Sequence, residues 1–360
     1  MAFNKVKQFW QQRKRKLADY SADVREDWAV ESPLWRWAVG LVLLLLLVIA
    51  GLGFFWSTEP DGFDVRAIAE QRVPVLDQRK RQVVGAVTTA TLIELADQLL
   101  HKPGGYFSND IAPPGVWMDN LPNWEYGVLI QVRDMSKAMR EAFSRSQSQS
   151  REDPDLTLAE PRFNFDHNSW VWPSTESQYA EGITKLNHYL TRLVDDQAQD
   201  AQFYARADNL NYWLRTVESR LGSLSQRLSA SVEKVRINTD LAGDTAAQQS
   251  TATPRELVIK TGWFEIDDVF YEARGTAWAL LHLLKAIEVD FADVLEKKNA
   301  RVSLQQIIRE LESTQETLRS PMVLNGSGFG MLANHSLVMA NYISRANAAI
   351  IDLRELLSQG

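Results

Sequence analysis

The side chains that could do chemistry in this chain of 360 residues are few and scattered. There is no cysteine, which excludes disulfides, thiolate metal sites and thiol nucleophiles. The five histidines are His101, His167, His188, His282 and His335. None lies three or four residues from another, so no helical two-histidine metal pair exists, and HExxH is absent. No GxSxG pattern offers an activated serine. Leu324 to Gly330 (LNGSGFG) has the glycine content of a phosphate-cradling loop. It lacks the GK[ST] ending and follows no strand, so a turn feeding the last helix accounts for it better. No catalytic residue, metal site or cofactor is assigned.

The most unusual composition lies in three patches that mix aromatic rings with Asp, Glu or Asn. The first runs from Tyr106 to Trp124 and holds Tyr106, Phe107, Asp110, Trp117, Asp119 and Trp124. The second, Phe163 to Trp172, holds Asp166, His167, Trp170 and Trp172. The third, Trp263 to Glu272, holds Trp263, Glu265 and Asp268. Rings that stack, beside carboxylates and amides that hydrogen-bond, make sugar- and peptide-binding surfaces. If the patches meet, these residues form one interaction groove. The competing expectation is that aromatic loops merely cap a helical bundle. Val217-Glu218-Ser219 resembles the Glu-Ser step of lytic transglycosylases, but that fold's Gly-rich aromatic segment does not follow, and Val217 belongs to a heptad seam.

The elements that must position these patches begin with a membrane anchor. Residues 37–58 carry no charge, and Leu41 to Ile49 is an unbroken Leu/Val/Ile run. At roughly 1.5 Å per residue the stretch spans a bilayer core of about 30 Å. Trp35, Trp37 and Trp56 bracket it, where amphipathic rings favour the interface. The long run before it, its length and the GLGFFW that ends it argue for an uncleaved anchor over a signal peptide. Residues 1–36 hold eight basic and five acidic residues, against thirty-one and forty-one in the remainder. The positive-inside rule therefore expects a cytoplasmic tail (1–36), one transmembrane helix (37–58), a tether (59–75) and an exported domain (76–360). In a Gram-negative bacterium the domain would lie in the periplasm. Within the tail, Arg13, Lys14, Arg15 and Lys16 interrupt an amphipathic face, a pattern suited either to anionic lipid or to a cytoplasmic partner, or simply to flanking charge. The net charge of −7 argues against nucleic-acid binding.

The exported part reads as all-α. Val84, Thr88, Leu92, Leu95 and Leu99 share one face of a first helix over 76–101, which Pro103-Gly104-Gly105 ends. Val128, Val132, Met135, Met139 and Phe143 mark a second. Heptad-like spacing then recurs over 179–193, over Leu210 to Val235, over Ile266 to Val294 and over Leu332 to Leu357, with a shorter helix through Leu304 to Leu318. Such seams mean helices crossing at shallow angles in a bundle or coiled coil. The alternation across 162–173 predicts a short strand. Residues 144–161 and 238–254 read as possible sub-boundaries.

The order of these features, with PGGYFSND and PPGVWMDNLPNWEYG at 103–127 and RFNFDHNSWVWPSTESQY at 162–179, resembles an uncharacterised proteobacterial family of single-pass inner-membrane proteins. The resemblance implies location and supplies no activity. Three functions are compatible with this reading. The first is a non-enzymatic envelope scaffold or regulatory subunit with a protein partner or a second copy. The second is a protein that binds or hydrolyses peptidoglycan or another glycan through the aromatic–acidic groove. The third is a ligand-sensing bundle that signals through a partner, the tail being too short for an output domain.

Overall fold

The computed structural model describes residues 33–73, 83–145, 151–195, 200–237, 256–320, 322–327 and 330–359. The basic cluster Arg13 to Lys16 and the 238–254 segment lie outside them. The chain divides into two units, Met1–Phe55 and Trp56–Gly360.

Helix α1 is Pro33–Trp56; it lies in the first unit up to Phe55, and its last residue, Trp56, belongs to the second. Proline suits a first helical position because its fixed φ is helical and its missing N–H is not needed there. Residues Trp35–Trp56 are long and apolar enough to cross a membrane. The leucines from Leu41 to Leu52 are exposed.

In the second unit, the segment expected as a tether is instead part of the core. Asp64 caps helix α2 (Val65–Arg72) by accepting from Arg66 N at 2.8 Å, and Val65, Ala69 and Val73 are buried. Helix α3 is Ala86–His101, entered through Gly85 at φ +91°. Val84, expected on its inner face, lies before the helix and is exposed. Helix α4 is Asn120–Ala138, extended by one π-turn over Met139–Phe143. Helices α5 (Pro154–Phe163), α6 (Thr175–Leu193) and α7 (Ala207–Ser229) follow. Then come α8 (Ile266–Asp290), α9 (Ala292–Lys297), α10 (Arg301–Ser313) and α11 (His335–Ser358).

The seam positions are buried as their spacing requires: Tyr179, Leu186 and Leu190 in α6, Leu210, Leu214, Val217 and Leu221 in α7, Ala273, Ala277, Leu280 and Leu284 in α8, and Met339, Ile343 and Ile350 in α11. The ends of the seams differ from the sequence reading. Helix α7 stops at Ser229, and Val235 sits exposed in a strand. Helix α8 ends at Asp290, so Val294 belongs to the separate α9. Leu332 is exposed ahead of α11.

Two further expectations are corrected. Residues 162–173 form no strand: Phe163 ends α5 and the rest are turns and bends. The alternation there separates inward from outward side chains of a loop rather than two faces of a ladder. Conversely, β1 (Lys234–Ile237) and β2 (Glu256–Ile259) pair antiparallel, Val235 opposite Val258, in a chain read as all-α.

The helices define two ends. Asn123 Nδ2 donates to Asp268 at 2.7 Å near the starts of α4 and α8, while Phe143 meets Phe291 at 5.4 Å beyond their far ends. The two helices therefore run parallel, and at glycines they approach to backbone contact: a Cβ on Gly275 would fall on the Trp124 carbonyl, and one on Gly127 on that of Glu272. Helix α3 runs the other way. Its Thr88 donates from N and Oγ1 to Asp290, each at 2.6 Å, at the C-terminal end of α8.

Candidate functional site

The first two aromatic patches fold round a buried ion pair, Lys102–Glu125, whose side chains are both fully enclosed. Gly104 (φ +89°) and Gly105 (φ +83°) turn the chain sharply after α3, a backbone region open to glycine at little cost. The turn brings Lys102 Nζ onto the carbonyls of Leu99 (3.0 Å) and Gly105 (2.6 Å) as well as onto Glu125. Glu125 in turn accepts from Phe107 N (2.8 Å), Ser108 N (2.9 Å) and Ser108 Oγ (2.7 Å). A buried charge is tolerable only when paired and hydrogen-bonded, and both members of this pair are. Burial pulls the Lys102 ammonium below its ordinary range, and the Glu125 carboxylate opposes that shift.

The second patch is pinned to this hub. Tyr106 Oη donates to the His167 carbonyl at 2.8 Å, and Asn109 Nδ2 donates to the Ser169 carbonyl and to Glu176, both at 2.9 Å. Arg133 holds the same loop by donating to the Phe163 and Phe165 carbonyls at 2.7 and 2.9 Å. Burial drives the Tyr106 hydroxyl strongly upward and lowers His167, so both are neutral near pH 7. The third patch reaches the first through Asn123–Asp268. All three patches thus gather at one end of the second unit, the end at which Trp56 packs against Phe107 with ring centroids 5.9 Å apart.

The thirteen sequence-selected residues separate into two populations. Tyr106, Phe107 and Trp124 are core rings. Trp117, Trp170, Trp172 and Trp263 are exposed, Trp172 by 92%, together with Phe264 by 89%. Asp110, Asp119, Asp166 and Glu265 are exposed, and His167 and Asp268 are half-buried. Asp110 lies near Glu125 and Glu176, and burial followed by those charges raises its carboxyl. Asp268 is pushed up to about 6, by burial first and then by the charges of Asp267, Asp119 and Glu265. Beside it opens a cleft of about 780 Å³ lined by Glu265, Asp268, Arg227, Glu272 and Lys260, drawn from α7, α8 and the residues around β2. The rings of the first two patches do not line it. No group of three or more potential metal ligands occurs among the described residues.

Sequence reasoning missed Lys102 and Glu125. One signal was present: Glu125 shares a helical face with Leu121, Val128 and Leu129, so a charge interrupts a core-facing stripe.

The described residues form an all-helical protein with one short strand pair, in which a single apolar helix precedes the other helices in the chain. The bacterial family described as "Uncharacterized protein conserved in bacteria (DUF2333)" matches residues 28–360, and the chain belongs to it. No curated protein and no solved structure gives a significant match.

Proposed function

We propose that the protein is a membrane-anchored, non-enzymatic component of the bacterial envelope. In this reading α1 crosses the inner membrane once with its N-terminus inside, and the helical unit stands in the periplasm as a scaffold or regulatory subunit for a protein partner or a second copy. The observation that carries it is the joint following α1. Trp56 packs on Phe107, and within three residues Glu59 is clamped by Arg274 at 2.5–3.0 Å. Arg274 is itself buried and donates to the Thr314 and Glu316 carbonyls, both at 3.0 Å. Phe63 then stacks on His282 at 4.0 Å, and its N–H donates to His282 Nε2 at 3.0 Å. A part that must hold a position suits a locked joint; a part that must sweep for substrate suits a loose one. Crosslinking the intact protein in native membranes tests the proposal. It expects a discrete adduct with a partner or a second copy, and a clean monomer would sink it. A C-terminal alkaline phosphatase fusion is expected to be active, reporting export.

The second reading, a glycan binder, draws on the Asp268 cleft. It requires Asp268→Asn to lose retention on isolated peptidoglycan sacculi while wild type is retained. Equal retention removes it.

A further inference from the structure

Among the described residues past Trp56, every exposed Trp and Phe lies at one end of the helical unit. They are Trp117, Trp170, Trp172, Trp263 and Phe264. Smaller apolar side chains crowd the same end: Ile111 and Val116 beside Trp117, Val171 between two tryptophans, and Met331 and Leu332 in the turn before α11. Residues 322–327 and 330–334 belong to this end because His335 meets Phe270 at 6.5 Å and Arg274 holds the chain after α10. The β1–β2 hairpin joins it through Thr261 N donating to the Ala230 carbonyl at 2.9 Å, and Val235 and Val258 are exposed on it.

This distribution needs a cause, since monomeric soluble proteins rarely leave large apolar rings clustered in water. The rings are not loose loop tips. The loop carrying Trp170 and Trp172 is held by the Asn109–Ser169 and Tyr106–His167 hydrogen bonds and, through Glu125, by the Lys102 hub, while Trp117 N donates to the Pro114 carbonyl and Glu265 N to that of Gly262. What lies against this end is set by the chain itself. Trp56, the last residue of α1, is packed at this end on Phe107, and Glu59 is fixed on Arg274 only three residues later. Three residues reach at most about 11 Å, so whatever surface α1 emerges from must lie close to these rings.

We infer that this aromatic end docks on the bilayer surface from which α1 emerges, with Trp117, Trp170, Trp172, Trp263 and Phe264 seated at the headgroup–acyl boundary. The inference rests on the membrane-anchored reading of α1. Tryptophan is the side chain best suited to that boundary, where one edge of the ring is apolar and the N–H stays wet. The acidic groups among the rings, Asp110, Asp119, Glu265 and Asp267, set the lipid preference. They repel an anionic surface, so the seat is apolar insertion into zwitterionic lipid rather than attraction to phosphatidylglycerol.

The absence of cysteine makes the test clean, because one introduced thiol is the only labelling site. Full-length W172C, F264C, V302C and L45C are fluorophore-labelled in phosphatidylcholine nanodiscs that carry lipid spin labels near the headgroup or deep in the acyl region. Val302 is 75% exposed at the opposite end, in the first turn of α10, and Leu45 reports on α1. Headgroup spin labels are expected to quench W172C and F264C at least about twofold more than V302C, and phosphatidylglycerol to weaken that difference. If L45C is quenched by the deep label but W172C and F264C behave like V302C, the docking inference is overturned and the anchor stands. If L45C is not quenched either, the membrane reading itself falls. Protection of W172C in native membranes without quenching in nanodiscs assigns the face to a protein and also overturns the inference. Matching thermal unfolding of the four variants verifies that each is folded.

Discussion

The two ends of the helical unit solve one problem with different parts. At the Asp290 end, a buried carboxylate caps α3 by accepting twice from Thr88, and it has no ion-pair partner among the described residues. At the Trp56 end, the buried carboxylate of Glu125 has a full ammonium partner and three further donors, and it organises loops rather than a helix start. The first arrangement closes a bundle. The second holds irregular backbone still so that rings can stand outside it. A loop that only connected helices would not need a fully enclosed ion pair, because exposed connections satisfy their backbone with water.

The largest expected effect probes that difference. Glu125→Ala leaves the Lys102 ammonium buried without its counter-charge and is expected to cost about 3–5 kcal/mol, read by chemical denaturation in detergent. The double variant K102M/E125L, which removes both charges, is expected to recover much of the loss. A single-variant cost near zero would mean that the pair is not enclosed in solution.

Next comes the axis common to both ends. Gly275→Ala drives a methyl group into the Trp124 carbonyl, and overpacking of this kind costs about 1–3 kcal/mol. Gly222→Ala on α7, where only the Asn347 side chain stands at 3.6 Å, is expected to be neutral or stabilising. Equal effects would show that α4 and α8 are not in backbone contact.

A smaller effect concerns pH at the Asp290 end. Burial pushes Asp290 up to about 6, above the ordinary carboxylate value, so the folded state holds its proton more tightly than the unfolded chain. The stability that this contributes is complete below about pH 4 and is lost as pH rises through 6. The margin of wild type over Asp290→Asn is therefore expected to shrink across pH 4–6. His282, held down to about 4, gives a slope of the opposite sign that cancels between the two proteins. A margin that widens with pH would reverse the assignment. The smallest effect belongs to the exposed rings: Trp172→Ser is expected to change stability by no more than about 0.5 kcal/mol, because the side chain touches little protein.

The helical fold was legible where a helix buries one continuous stripe. The α6, α7 and α8 seams carry spacing that only a helical period explains, and their leucines lie inside. It was illegible where local composition and tertiary role disagree. Helix α5 hid in a polar stretch with Pro161 inside it, because Asp153 and Pro154 start it and only Leu156, Ala159 and Phe163 face the core. The β1–β2 hairpin hid because its strands are four residues each and separated by a long segment. In the patches, ring-rich composition was visible but its division was not. Trp124 shares the inner face of α4 with Leu121 and Val128, whereas Trp117 lies ahead of that helix and is exposed; what the local sequence does not show is that the backbone of Trp124 meets Gly275, 151 positions away.

The joint after α1 has a consequence of height. If α1 spans a membrane, a chain fixed at Trp56 and Glu59 holds the aromatic end near it, and α8, at 25 residues, carries Asp290 up to about 38 Å beyond that end. Under the docking inference, the length of α8 bounds how far from the lipid the Asp290 end can stand. Lengthening the chain between Trp56 and Glu59 by a few glycines would remove the joint's share of that constraint and leave the rings alone to set the elevation.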